Sequence, residues 1–328
     1  MPDGDHREQS DGRAPDGQTV LRGLRPQGGR ARCAPEGREG RVVTEPRLIV
    51  EVRYGKLAGT KKAVEAGRAL KVGRTDLADL VVQHDGQMSG THFELQWDGA
   101  SCLLRDLGSQ GGTRLGGQAV EQGEVPHGGW IQAGETDFLV YVEGKTQPPR
   151  RKPTRSPEDE QARLDAAARA GEVLRAEAAK VPLYAVVDGA RDRRILEVLR
   201  EGVEPHQSLY DGLQGETLED VAPYLVGPFR KDSALLDRLL AEGFGNRWCI
   251  FCTSYDKFVE VRRHWRRFLM VTLESTNEKV YFRFYDPGVF RVFWPTCSTA
   301  QRQEFSGGME EIFVEEEDLS LSALVRPH

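Results

Sequence analysis

The stretch Tyr281-Phe-Arg-Phe-Tyr-Asp-Pro-Gly-Val-Phe-Arg291 narrows the possible folds more than any other part of the chain. It begins as a strand, with Tyr281, Arg283 and Tyr285 on one face of the two-residue repeat and Phe282 and Phe284 on the other. Rings occur on both faces, and burying each contributes roughly 1.5 to 3 kcal/mol, so the stretch reads as a core strand. It stops at Asp286-Pro287-Gly288, where the Asp is expected to cap the turn that starts a helix. Arg283, held among rings, needs a carboxylate partner. Both charged residues are therefore expected to be structural.

The rest of the 328-residue chain sets wide bounds around that strand. With 38% apolar and 29% charged residues it describes a soluble protein of two ordinary domains with some loose segments. No run approaches the roughly 18 apolar residues of a membrane span, and the N-terminus lacks an apolar signal stretch. A cytoplasmic location with no membrane partner is expected. Five scattered cysteines, Cys33, Cys102, Cys249, Cys252 and Cys297, argue against a disulfide framework. Net charge is −6, and only the central linker is basic, so the footprint of a nucleic-acid binder is missing.

Residues 1–46 are rich in Gly, Arg, Asp and Pro and lack an apolar period, which reads as disorder. From Arg47 the pattern changes. Leu48, Val50, Val52 and Tyr54 alternate with polar residues, as do Phe93, Leu95 and Trp97, and Gly-rich turns separate short strands as far as Val142. Residues 47–146 thus read as an all-β sandwich. Pro148-Pro-Arg-Arg-Lys-Pro-Thr-Arg-Ser-Pro157 is an extended basic linker, and Ser156 caps an Ala-rich helix to about Lys180, with Leu164, Ala167, Ala168, Leu174 and Ala178 as its thin apolar stripe.

Residues 181–328 alternate strand and helix: Leu183–Val187, a helix from Asp192 to Glu201, a helix near Asp232–Glu242, the strand Trp248–Cys252 and a helix from Tyr255 to Phe268. A hairpin follows, pairing Phe268–Leu273 with Val280–Tyr285. This is an α/β domain with an antiparallel addition, ending in the acidic run Glu315–Asp318, expected to be a solvated tail.

Three features of the sandwich point to phosphate chemistry: Gly73-Arg74, Ser89-Gly-Thr-His92 and Asp106-Leu-Gly-Ser-Gln-Gly-Gly-Thr113. Loops at one end of a sandwich converge, and an Arg fork, a Ser hydroxyl and backbone amides together suit phosphate oxygens. Over residues 47–142 these motifs resemble the forkhead-associated (FHA) domain, a phosphothreonine-peptide reader. The resemblance implies that Arg74 and Ser89 hold the phosphate, with Gly90, Gln110 and Gly111 lining the peptide site, while Gly73 and His92 brace the loops. The family commonly has Asn at the position of Gly90, Thr or Ser at Gln110, and at Gly111 the Asn that grips the peptide backbone. Each side-chain bond so lost weakens a ligand by about 0.5 to 1.5 kcal/mol.

Catalytic and metal readings of the second domain find little support. Cys249 and Cys252 sit three apart on a strand, hence on opposite faces. Ser254, His264 and Asp188 or Asp256 lack any nucleophile context, and Gly55-Lys56 fails the phosphate-loop spacing. The helix Tyr255–Phe268 says more. Phe258, Val261, Trp265 and Phe268 form its buried stripe, while Arg262, Arg263, Arg266 and Arg267 crowd the remaining surface. Neighbouring carboxylates are the plain explanation for that crowding, and docking of an acidic partner the sharper one.

Five stretches complete the reading: Leu183–Gly189 with Asp188, Ser208–Gly212 with Tyr210, Ala222–Val226 with Pro223, His264–Leu269, and Arg283–Pro287 with Tyr285 and Asp286. In this order they resemble the bacterial type VI secretion adaptor, or effector-chaperone, family, catalogued through a domain of unknown function. The resemblance implies a non-enzymatic cytoplasmic adaptor without catalytic residues, metal or cofactor. It would bind a secreted effector and help load it onto the valine-glycine-repeat spike protein, the FHA-like module adding a partner such as a threonine-phosphorylated protein. A phosphorylation-dependent signalling scaffold of the secretion system is the alternative.

Overall fold

The computed structural model describes residues 45–53, 57–150, 154–210, 218–272 and 277–325. The expected disorder up to Thr44, the alternation at Tyr54, the Gly55-Lys56 pair, linker residues Arg151 and Lys152, the Asp211-Gly212 pair and much of the hairpin turn at Glu274 lie outside them. Among the described residues no helix is long and apolar enough to cross a membrane.

The first domain is a sandwich of two sheets. One has the order β2 (Lys61–Val64), β1 (Leu48–Val52), β11 (Thr136–Val142), β10 (Gly129–Ala133), β7 (Thr113–Leu115), β8 (Gln118–Val120). The other runs β4 (Leu80–Val81), β3 (Arg68–Gly73), β5 (Phe93–Trp97), β6 (Cys102–Asp106), β9 (Gln122–Val125). Among the described residues only β3 and β4 pair in parallel. Alternating residues of the two sheets make the core: Leu48, Val50 and Val52 meet Leu70, Phe93, Leu95 and Leu104.

The second domain has three layers. Its sheet orders β13 (His206–Ser208), β14 (Pro223–Phe229), β12 (Leu183–Asp188), β15 (Cys249–Thr253), β18 (Glu311–Glu315), β19 (Leu321–Val325), and every pairing is antiparallel. The alternation of strands and helices in the sequence is therefore real, but the helices do not serve as parallel crossovers. One face carries α1 (Pro157–Ala178), α2 (Arg194–Arg200) and α3 (Ala234–Arg238, continued by a π turn to Gly243). Against the other lie α4 (Phe258–Arg266), α5 (Pro287–Phe293) and α6 (Thr299–Phe305). Ala185 and Val187 of β12 enter the first core, Tyr184 and Val186 the second. Cover on both faces is why these strands are apolar without a break. Cys249 and Cys252 divide likewise between the two cores, both buried with their thiols pushed up by burial, Cys252 to about 12.

Three expectations need correction. Strands β16 (Met270–Thr272) and β17 (Lys279–Tyr281) form the hairpin, so the strand ends at Tyr281 rather than Tyr285, because Phe282 and Phe284 turn inward onto Phe293 and Trp265. Glu315–Asp318 is no tail: Glu315 is buried in β18, accepting from the Gly245 and Arg247 amides, and the other three turn the chain into β19. In α1 the buried stripe is Arg163, Ala166, Ala167, Ala170 and Leu174, while Leu164 and Ala168 are exposed. Arg163 takes the interior place because its guanidinium donates to Phe244 O (2.8 Å) and Ala241 O (2.7 Å).

The two domains touch through a partly buried polar seam. Lys61 Nζ on β2 donates to Leu199 O (2.7 Å) and Gly202 O (2.6 Å), closing the C-terminal end of α2, where the helix dipole favours a cation. Arg53 and Arg200 share the Glu219 carboxylate, and Thr146 N donates to both oxygens of Glu201. This seam covers the outer face of β1, so Ile49 and Glu51 are buried along with the inward residues. Burial pulls the Lys61 ammonium from its ordinary 10.5 to about 8, against the opposing pull of Glu51 and Glu204. A folded value below the unfolded one means that the unfolded chain holds the extra proton between those limits. Stability of the wild type is thus expected to rise from pH 8 to 10.5 relative to Lys61→Met, followed by urea denaturation. At pH 7 the variant, which takes the donor from Gly202 O and leaves Leu199 O with the Gly202 amide, is expected to lose about 1 to 3 kcal/mol.

Candidate functional site

The loops after β3, β4 and β6 meet at one end of the sandwich, and each contact has a sequence cause. Gly73 ends β3 because a Cβ there would lie 2.2 Å from Gly90 O. This close approach lets Arg74 N donate to Ser89 O (3.0 Å) and Thr75 N to Gly90 O (3.1 Å), locking the first two loops together. Arg74 then projects into solvent, with its Nε donating to Met88 O (3.1 Å). The Ser89 hydroxyl accepts from Gln110 N (3.0 Å) and so sits where the second and third loops join.

His92 is buried and spans all of this. Ser89 N donates to its Nδ1 (3.0 Å), so the remaining proton is on Nε2, which donates to Gly112 O (3.1 Å). Asp106 secures the third loop, accepting from Ser109 N (2.8 Å), Ser109 Oγ (2.6 Å) and Thr113 Oγ1 (2.6 Å). Burial pushes this carboxyl up, but those donors outweigh it and hold the group below its ordinary 3.8. Sequence reasoning missed Asp85. Its carboxylate accepts from Gln87 N, Glu135 N and Thr136 Oγ1, joining the second loop to the turn between β10 and β11. An isolated Asp in a loop gives no signal of a partner fifty residues away. Gly90, Gln110 and Gly111 line the same rim, and a Cβ at Gly111 would meet nothing nearer than Gln87 O at 3.8 Å.

A second constellation lies at the end of β12. Asp188, fully buried, takes the Arg283 guanidinium as partner. Burial pushes the Asp188 carboxyl above its ordinary value, and Arg283 pulls it back. Opposite Asp188 in the sheet stands Pro223, and Gly189 N donates to Ala222 O (3.1 Å). Asp286 caps α5 through Gly288 N (2.8 Å), with Pro287 as first residue, and its carboxylate also takes Arg247 Nε (2.8 Å) and Arg191 Nη2 (3.0 Å). The Tyr210 ring packs edge-on against Tyr281 at 5.8 Å. Tyr285 is buried beside Phe284, which stacks on Trp265 at 5.1 Å. Asp188, Tyr210, Pro223, Arg283, Tyr285, Asp286 and Pro287, read from four separate stretches, thus stand at one end of one sheet.

The arginines of α4 find backbone carbonyls as well as an expected carboxylate. Arg262 Nε donates to Ser208 O (2.8 Å) and Arg266 Nε to Leu209 O (3.0 Å), holding the segment that leads out of β13. Arg263 pairs with Glu260 (2.5 Å), and Arg267 reaches His264 Nδ1 (2.9 Å) and the Phe268 ring. Ser254 and His264 are no catalytic pair: Ser254 Oγ donates to Gly308 O (2.5 Å), and His264 Nε2 lies 2.8 Å from Phe305 O.

A family model of the FHA domain matches residues 70–134, and one described as a domain of unknown function (DUF4123) matches residues 183–304. The chain carries an FHA domain and a DUF4123 domain. Solved structures similar to the FHA domain include that of the CT664 protein from Chlamydia trachomatis (26% identity over 29% of this chain and 96% of that one, TM-score 0.28). Others are the FhaA FHA domain complexed with the intracellular domain of Rv3910 (26%, 28% and 98%, TM-score 0.26) and the FHA domain of a hypothetical protein of Arabidopsis thaliana (25%, 33% and 92%, TM-score 0.28). No curated protein matches the chain. DUF4123 is the type VI secretion adaptor family that the five C-terminal motifs resemble, and both domains are of non-catalytic, binding type.

Two outcomes follow from these geometries. Asp106 contributes stability above its unfolded value that is lost as pH falls through the lower folded one. Asp106→Asn is expected to cost about 1 to 2 kcal/mol at pH 7 and to flatten the acid side of the stability profile below about pH 4, measured by thermal unfolding. Arg283→Ala strands a buried carboxylate and is expected to cost about 3 kcal/mol in urea denaturation. A variant of unchanged stability would show that Arg283 contributes nothing to the corner.

Proposed function

We propose that the protein is a cytoplasmic loading adaptor of a type VI secretion system. Its DUF4123 domain holds an effector for delivery to the valine-glycine-repeat spike, and its FHA domain adds a contact to a threonine-phosphorylated protein. The observation that carries the reading is the meeting of the seven landmark residues at one sheet end. Such a corner is costly to assemble, and catalytic groups do not account for it. Binding is the whole mechanism: ion pairs and caps make the corner rigid, so that surface beside it meets a partner without a large ordering cost. The exposed cross-strand pair Met270 and Tyr281 on the isolated hairpin adds apolar surface of the kind that shields a cargo segment.

On the FHA side, Arg74 and the Ser89 hydroxyl supply the charge-assisted bonds that a phosphate needs. Arg74→Ala is expected to weaken a phosphothreonine peptide at least about tenfold in fluorescence anisotropy. Gly111→Asn, for which the backbone has room, is expected to tighten it about two- to tenfold by restoring a bond to the peptide backbone. Equal binding of phosphorylated and unphosphorylated peptides would remove this part of the proposal. Co-purification with spike and effector that survives Arg74→Ala supports loading as the primary role. Complete loss of both partners in that variant would instead make the protein a phosphorylation-dependent signalling scaffold.

A further inference from the structure

Three guanidinium groups crowd the end of β12, reaching it from the turn after that strand, from the turn before β15 and from the segment after β17. Arg247 places Nη2 2.6 Å and Nε 2.8 Å from Asp286 Oδ1, Arg191 places Nη2 3.0 Å from Asp286 Oδ2, and Arg283 holds Asp188. The two carboxylates are hidden, with side chains 0% and 5% exposed, whereas Arg191, Arg247 and Arg283 are 29%, 42% and 42% exposed. The negative charges face inward and the positive ones outward. A chain of net charge −6 thus presents a local cationic surface here. Each guanidinium has five donors in a fork, and the bonds named use only some of them, so a second carboxylate can still be gripped. Tyr281, 56% exposed, stands at the rim with its ring braced by Tyr210. The neighbouring acidic turn does not neutralise the surface, because Glu316 and Glu317 face Arg291 at 3.9 and 3.6 Å.

We propose that Arg191, Arg247 and Arg283, with Tyr281 beside them, form the docking surface for an acidic segment of the protein that this domain carries, an inference resting on the adaptor reading. Charge complementarity selects the occupant. The arginines of α4 are the weaker candidate, since Arg262 and Arg266 already hold backbone carbonyls and Arg263 its own glutamate.

The test uses the full chain and a fluorescein-labelled Glu/Gly peptide, with a Lys/Gly peptide as control, read by anisotropy at low salt. The wild type is expected to bind the Glu/Gly peptide and to lose it at least about tenfold in Arg247→Gln, with Arg247→Lys in between. Arg263→Gln is expected to change nothing. Melting temperatures are taken for every variant. If Arg247→Gln fails to fold, Arg191→Gln replaces it, since Asp286 then keeps Arg247. Equal binding of the two peptides, or equal loss in Arg263→Gln, overturns the proposal. Peptide binding does not depend on spike or effector, so it can fail while co-purification succeeds, or the reverse.

Discussion

The carboxylate of Asp188 is the point on which the second domain closes. It ends the strand β12, which is paired on both sides, by β14 and by β15. A buried carboxylate is tolerated only with a partner, and Arg283 comes from the far side of the hairpin to supply it. Once Arg283 is held there, the next residue, Phe284, must enter the core against Trp265, and Asp286 must start α5. One ion pair thereby fixes where a strand stops, where a helix starts and how an aromatic layer sits on the sheet.

The seam between the domains works by the same logic on a larger surface. Lys61 finds the open carbonyls of α2, and Glu219 finds two arginines, one from each domain. A polar seam of this kind needs most of its donors and acceptors matched, which positions one domain against the other more tightly than a flexible linker would. The phosphate-end loops and the Asp188 corner are thus parts of one body.

At the phosphate end, much of the site was legible because its motifs act locally. Gly73, Ser89 and His92 lie within twenty residues, and their bonds run between adjacent loops. Asp85 was not legible, because its partners at Glu135 and Thr136 come from a distant turn. The arginines of α4 show the limit from the other direction. Their spacing announced that four like charges needed relief, but carbonyls of a segment more than fifty residues earlier supply part of it, and carbonyls leave no mark on composition. Arg163 took an interior position in α1 that pattern reading assigned to Leu164, for the same reason.

From the sequence alone came the all-β sandwich, the succession of strands and helices after it, the cap at Asp286 and the need of Arg283 for a carboxylate. These follow from periodicity, from turn chemistry and from the cost of a lone buried charge, which are properties of short segments. Tertiary structure alone decided that the second sheet is antiparallel throughout, that Glu315 is buried, that Asp188 is the carboxylate in question, and that both faces of β1 are covered. Those outcomes depend on which surfaces meet, and a strand carries the same two-residue repeat whether its outer face meets water or, as with Ile49 and Glu51, another domain.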